Sequence, residues 1–318
     1  MSIRIKVFLI IAAIVVVITV SSVAISISVA QNQILKTLEV DMRLVTSLLN
    51  EYVSGEIDRL KTNAASVAQA LKNTPVEERQ PILVEQVAAY EHFQAITVFN
   101  SAGKVEISFG VGAATEEIAQ SEYGRQVYEG QRVISTSHID SSGNLVFFVF
   151  APLDDQLFQV EGEQNFPRIV ACTVPGLFFS KQLNRFLIWD SGNIAMQDQE
   201  GTIIANVHAE WVMDRLNFLE LAKQDKRYES AARVMQRIIE GGQGTDRFTL
   251  EGVDVLTAYT PITASEQGWS LAVIAPIKES PFYQVWVIIV IAGIVFLCLG
   301  LVAAAFGSGI IVRLYQRQ

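Results

Sequence analysis

Cysteine is nearly absent from this chain, with two in 318 residues. Cys298 falls inside a charge-free run, which leaves Cys172 without a partner and excludes an internal disulfide framework. Histidine is almost as scarce. His92, His138 and His208 are far apart in sequence, and no cysteine or carboxylate cluster joins them at ligand spacing, so no metal site is expected. No nucleophile elbow or zinc-protease motif is present. Phe109-Gly110-Val111-Gly112-Ala113-Ala114 lacks the last glycine and the βαβ context of a dinucleotide fingerprint, and it reads as a flexible turn. Gly242-Gln243-Gly244 reads as a tight turn and not as a phosphate cradle. Catalytic residues and cofactors are therefore not expected.

Charge is missing from two long runs. Val7 to Val29 is twenty-three residues without a charge, and Val285 to Phe306 is twenty-two. As helices they reach about 33 Å, enough for a hydrocarbon core of about 30 Å. A buried core helix rarely runs so long without a charge. Ser28-Val29-Ala30 also fits a signal-peptidase site, but the run exceeds a usual signal core, which favours a retained anchor. Arg4 and Lys6 precede the first run, and Arg313 and Arg317 follow the second. The positive-inside rule then puts both termini in the cytoplasm and residues 31–284 outside. Removing those four basic residues from the 24 Lys and Arg leaves 20 against 33 Asp and Glu, a net charge of −13. Such an acidic region argues against nucleic acid as a partner.

Between the runs the periodicity changes twice. From Gln31 to about Asn73, Met42, Val45, Leu49, Val53, Ile57, Leu60, Ala64, Val67 and Leu71 recur at three or four, a helical stripe. Thr74-Pro75 ends it. A helix this long needs a second surface, either the domains behind it or a copy of itself in a homodimer. A short helix, Val76 to Tyr90, precedes a hairpin of Ala95–Phe99 and Lys104–Phe109 around Asn100-Ser101-Ala102-Gly103. A helix over Glu116–Tyr128 follows, then strands Arg132–Thr136, Leu145–Phe150 and Arg168–Thr173. Phe178 to Trp189 reads as a connecting helix.

The same order returns. Asn193–Met196 and Thr202–Ala205 flank the turn Asp198-Gln199-Glu200-Gly201; a helix, Arg227–Ile239, precedes strands Arg247–Leu250, Val255–Thr260 and Trp269–Ala275. Each unit reads as an antiparallel sheet with helices on it, an α+β arrangement. Tyr283 and Trp286 are placed as interfacial anchors of the second run.

The short stretches DQEGTIIAN at 198–206, AYTPI at 258–262, GWSLAVIAP at 268–276 and VFAPL at 149–153 occur in a characteristic order and spacing. With the long helix and the flanking runs, the chain resembles the double Cache (dCache) extracellular sensor regions of bacterial chemoreceptors, sensor histidine kinases and cyclic-di-GMP enzymes. The resemblance implies a long helix and two tandem PAS-like (Cache) modules between two transmembrane helices. The segments would be 1–30, first span; 31–74, long helix; 75–178, membrane-distal module; 179–284, membrane-proximal module; 285–306, second span; 307–318, junction to an output domain. It also implies a small-molecule pocket in the distal module.

The resemblance extends to particular residues. Amino-acid-binding members carry Arg-x-Trp-Tyr at the helix end and an Asp near the end of the last distal strand. Here Arg125-Gln126-Val127-Tyr128 keeps Arg and Tyr, and Thr173 stands where the Asp would be. Arg125 can grip a carboxylate with two parallel hydrogen bonds, and Tyr128, three residues on, adds a donor. Without the Asp an ammonium lacks its counter-charge, so a carboxylate or a neutral metabolite is favoured over an amino acid. Phe148 and Phe150 share a strand face as core or pocket wall. Tyr123, Ser135, Ser137, His138 and Asp140 fall in the loop and strand that would border that pocket, and His138 reads as a surface loop histidine and not as a ligand contact.

The expected function is a bacterial cell-membrane sensor, homodimeric, that transmits ligand binding through the second span. The outputs in view are a histidine kinase, a chemotaxis pathway or cyclic-di-GMP turnover, beyond Gln318. The competing expectation is a complete non-enzymatic membrane protein acting in adhesion, assembly or as a partner subunit.

Overall fold

The computed structural model describes residues 3–153, 168–280 and 285–315. Tyr283 and Arg317 lie outside the described residues, as do the side chains of Arg4 and Trp286. The chain forms two compact units: residues 42–276, and residues 1–41 with 277–318.

Helix α1 is continuous from Ile3 to Leu71. Within residues 42–71 the apolar stripe is buried, with Met42, Leu49, Val53, Ile57, Leu60, Ala64, Val67 and Leu71 at most 4 % exposed. Val45 is only half-buried, and the stripe passes through Thr46 instead. Thr46 belongs there because its hydroxyl is satisfied, donating to Met42 O at 2.7 Å and approaching Ala258 O at 3.4 Å. Lys61 donates to Ala264 O and pairs with Glu266. Tyr52 meets Gln182 and the ring of Phe186. Helix α1 ends where Asn73 turns to φ +61° ahead of Pro75.

After α2 (Val76–Ala89) comes the expected hairpin, β1 (Ala95–Phe99) and β2 (Val105–Gly110). The single helix expected over 116–128 is two, α3 (Glu116–Ala119) and α4 (Glu122–Tyr128). Ser121 explains the break, since its Oγ accepts from the Tyr123 N–H and caps a new helix. Strands β3 (Val133–Ile134), β4 (His138–Ile139), β5 (Leu145–Leu153) and β6 (Arg168–Pro175) follow. β5 was expected to close at Phe150 but continues through Pro152. Its neighbour β3 stops pairing at Phe150, so Pro152 interrupts no ladder on that side. All pairs are antiparallel in the order β2-β1-β6-β5-β3, with β4 also on β5.

The connecting helix α5 covers only Phe178–Leu183 and not Phe178–Trp189. Beyond it Ile188 bridges to Gly192, and Trp189 takes φ +50°, a conformation no helix accommodates. Then come β7 (Asn193–Gln197), β8 (Ile203–Ala205), α6 (Ala209–Met213), α7 (Phe218–Gln224), α8 (Glu229–Ile239), β9 (Gly244–Leu250), β10 (Val253–Pro261) and β11 (Ser270–Pro276). The short helices α6 and α7 had no sequence expectation; Asn217 caps α7 by accepting from Leu219 N–H. The second sheet runs β8-β7-β11-β10-β9. Strand for strand this is the order of the first sheet, so the repeated plan is a repeated topology.

Three rings lie where the sheets meet. Phe147 of β5, Phe179 of α5 and Trp269 pack edge to face, with centroids 5.5 to 5.6 Å apart. Leu145 of β5 sits in a cluster with Ala195, Ile203 and Val212 of the second half.

In the other unit, α9 covers Val285–Tyr315, past the expected end at Phe306, because no proline or charge intervenes before Arg313. The apolar windows of α1 and α9 are each long enough to cross a membrane. The helices touch closely: a methyl group at Gly293 would strike Val23, and one at Gly300 would strike Val15.

Trp269 is fully buried and holds two sheet-joining contacts. Trp269→Ala is expected to lose about 3–5 kcal/mol, the usual cost of emptying a large aromatic core site. Thermal unfolding of the detergent-solubilised chain measures it.

Candidate ligand site

One face of the first sheet carries Thr97, Phe99, Phe148, Phe150, Ala171 and Thr173, brought side by side by the strand register. Alternation sends Phe147 and Cys172 to the other face. Cys172 is buried there, and desolvation pushes its thiol well above the ordinary range. Helices α3 and α4 lie over the first face, with Tyr123 and Tyr128 packed against its apolar cluster.

Four rings form a chain at one end of that face. Tyr123 stacks on Phe150 at 6.2 Å and meets His138 edge to face at 5.8 Å. Phe148 lies 5.9 Å from His138 and 6.2 Å from Phe150. The Tyr123 hydroxyl is 3.0 Å from the Thr136 hydroxyl. His138 Nε2 is buried with no hydrogen-bond partner among the described residues. Desolvation, and then the nearby Arg215 cation, lower its pKa and keep the ring neutral.

The polar side of this corner converges on Gly112. Thr173 Oγ1 donates to Gly112 O at 2.8 Å. A β-carbon on Gly112 would lie 2.8 Å from Asp140 Oδ2 and 3.5 Å from Thr173 Cγ2, and the residue sits at φ +76°. Glycine is needed there for both reasons. The strand end without its own carboxylate is thus approached by the carboxylate of Asp140. Desolvation is the largest single influence on Asp140 and raises its pKa, but the hydrogen bonds from Asn144 and Ser142 together outweigh it and hold the group below the ordinary carboxylate range.

The other expected residues divide. Ser135 is buried, donates to Thr136 O and accepts from Phe148 N–H, so its hydroxyl is spent on backbone where β3 ends. Ser137 faces the second half of the unit. Arg215 donates to both its carbonyl oxygen, at 2.9 Å, and its hydroxyl, at 2.8 Å. Tyr128 lies at the opposite end of β1, its hydroxyl 3.5 Å from where a β-carbon on Gly103 would be, and desolvation raises its pKa. Arg125, one turn earlier on α4, is exposed. The structure therefore joins Tyr123, Phe148, Phe150 and Thr173 with His138 and Asp140, and sets Arg125 and Tyr128 apart from the Thr173 corner.

Sequence reasoning missed Thr136 and Arg215. Thr136 carries no signal. Arg215 takes φ +52°, a strained choice for a side chain of its size, and only the fold reveals it. The turn Asp140-Ser141-Ser142-Gly143-Asn144 does carry a signal, an Asp that caps its own backbone ahead of Gly, and it locates the carboxylate. No group of three or more metal-ligating side chains occurs among the described residues.

The Cache domain family profile dCache_1 matches residues 23–283. Solved structures share the fold at low identity. The extracellular domain of rpHK1S-Z16, assigned as a histidine kinase, is 14% identical with a TM-score of 0.58, over 76% of this chain and 95% of its own. The sensory domain of the Campylobacter jejuni chemoreceptor Tlp3, solved with isoleucine, is 10% identical with a TM-score of 0.55, over 78% and 96%. The ligand-binding domain of the Pseudomonas fluorescens chemoreceptor CtaA, solved with L-isoleucine, is 14% identical with a TM-score of 0.54, over 78% and 96%. No curated protein matches the chain.

His138 gives a pH prediction. Its pKa is lowered in the folded chain, against about 6.5 when unfolded. As pH falls through 6.5 the unfolded chain takes the proton first, so stability falls with pH until the folded ring also titrates. Between pH 7.5 and 5 the melting temperature should fall less in His138→Phe than in the parent chain. Some slope remains from His92, whose pKa is also lowered by desolvation and Arg59. An unchanged slope would mean that His138 is not a neutral member of the cluster. With the topology, the motifs and 261 matched residues in agreement, the chain belongs to the dCache family of Cache domains.

Proposed function

We propose that this chain is the sensing part of a bacterial membrane receptor. The apolar runs of α1 and α9 span the membrane, both termini are cytoplasmic, and residues 31–284 lie outside. The basic flanks at Arg4, Lys6, Arg313 and Arg317 support this orientation. The receptor works as a homodimer and passes its signal through α9 to a cytoplasmic output of histidine kinase, chemotaxis or cyclic-di-GMP type. The residues of this chain carry no catalysis in this reading.

The observation that carries the proposal is the Tyr123–His138–Phe148–Thr173 corner and its attachment to Arg215. A small molecule entering between α4 and the sheet displaces Tyr123 or His138, because Phe148, Phe150 and Thr173 are buried behind them. His138 and Ser137 are separated by one peptide bond. A shift of His138 therefore pulls on the carbonyl and hydroxyl that hold Arg215. This is a two-packing switch, and coupling of about 1–3 kcal/mol alters output several-fold. The ligand must favour one packing, or nothing is transmitted.

A carboxylate or neutral metabolite remains the favoured ligand, with the exposed Arg125 and half-buried Tyr128 as gripping groups at the outer end. One observation favours a second reading. Asp140 beside Thr173 supplies a fixed negative charge, which suits an ammonium and hence an amino acid.

A thermal-shift screen of the full chain against organic acids, sugars, purines and amino acids tests both. A binder should raise the melting temperature, and Phe148→Ala should weaken it at least about tenfold by removing a buried contact surface. Asp140→Asn separates the readings: it abolishes amino-acid binding and spares a simple carboxylate. A screen without any binder, together with unaltered signalling in Phe148→Ala cells, would sink the proposal.

Orientation has its own check. Alkaline phosphatase inserted at the exposed turn residue Gly143 should be active, and a fluorescent protein fused after Gln318 should fluoresce. The reverse pattern refutes the topology.

A further inference from the structure

The second sheet has a cavity of its own. Helix α8 lies over the face of that sheet that carries Ala195, Gln197, Thr257, Ala272 and Ile274. Its inward residues Ala231, Val234, Met235 and Ile238 are buried. Ala195, Ala231 and Ala272 are small where their neighbours are large, and a space of about 30 Å³ remains between helix and sheet. Trp211 and Phe218 line one side of it, and Phe248 and Leu250 another. No charged residue lines it.

One lining group lacks a partner. Gln197 is 1% exposed, and its Nε2 makes no hydrogen bond among the described residues. A buried donor left unpaired is costly, so a partner that enters the cavity and accepts from it gains that cost back. Two other polar residues of the lining have partners. Thr257 Oγ1 donates to Val273 O. Asn206 donates to Ile194 O and accepts from His208 N–H.

We infer that the second sheet carries a small-molecule site separate from the Thr173 corner. Its ligand is small, uncharged and mostly apolar, with one oxygen that accepts from Gln197 Nε2. Charged ligands are excluded because the walls offer no counter-charge. A water occupies about 10–15 Å³ by this measure, so the cavity suits a molecule of about two or three heavy atoms. Met235, unbranched and flexible, can yield to something slightly larger.

The position suggests what occupancy does. Ala195, Ile203, Phe218, Ala231 and Met235 line the cavity and also form the cluster that holds Leu145 of the first sheet. A ligand there stiffens the joint between the sheets. It acts on the second sheet directly, whether or not the Thr173 corner binds anything, so the two ideas can fail separately.

The test uses the full chain in lipid nanodiscs with methyl-13C methionine. Acetone is the probe, and isobutene, the same shape without the acceptor oxygen, is the control. The Met235 methyl signal should shift saturably with acetone while that of Met213, 45% exposed, does not. Acetone should bind about fivefold to tenfold more tightly than isobutene, the share of one hydrogen bond. Gln197→Leu should erase that preference, and Ala231→Val should fill the space and abolish the shift. Three results overturn the inference: a linear shift shared by all methionines, equal affinity for the two probes, or a preference that survives Gln197→Leu. If Gln197→Leu does not fold, the parent chain's acetone-to-isobutene ratio and Ala231→Val still decide.

Discussion

A helix as long as α1 cannot stand in water on helix propensity alone, and each sheet has an apolar surface that must be covered. The buried stripe from Met42 to Leu71 answers both needs. Its polar members show how the helix is fixed along its length: Thr46 reaches β10, Tyr52 reaches Gln182 of α5 and Phe186 beyond it, and Lys61 reaches the loop between β10 and β11. Leu60, Ala64 and Val67 are fully buried. This one strip of side chains thus ties the helix to β10, to the loop after it and to the region of α5.

Once the sheets are placed, their joint becomes the mechanically interesting part. Phe147, Phe179 and Trp269 form a rigid aromatic contact, and Leu145 adds an aliphatic one. Beside this packing stands a polar link, Ser137 to Arg215, where two hydrogen bonds meet a residue with strained backbone. Packed rings resist small displacements, while a pair of hydrogen bonds can exchange partners. A protein that must hold two bodies together and still let one inform the other needs both kinds of contact.

The fold was legible in the sequence wherever a pattern is local. Strand alternation placed Phe148 and Phe150 on one face, and the turn Asn100–Gly103 fixed its hairpin. The repeated order of hairpin, helix, strands and Pro foretold two sheets of the same topology. Boundaries were less legible because they depend on neighbours. β5 continues through Pro152 because β3 has ended, and Ser121 splits a helix by offering its hydroxyl to the backbone. The candidate site was half legible. Tyr123, Phe148, Phe150 and Thr173 came together, whereas Arg125 and Tyr128, paired by helical spacing, lie away from the Thr173 corner because Tyr128 sits at the hairpin end of β1.

By itself the sequence determined the two charge-free runs, the long stripe, the duplicated α+β plan and the family, because these rest on composition, period and order. Only the tertiary structure decided which polar groups meet. Asp140 approaches Thr173 across a loop, Arg215 reaches the Ser137 loop beside the first sheet, and Gln197, whose amide nitrogen is unpaired, lines a cavity. Such meetings join residues tens of positions apart in sequence, and their geometry exists only after the sheets have paired and α1 has closed over them.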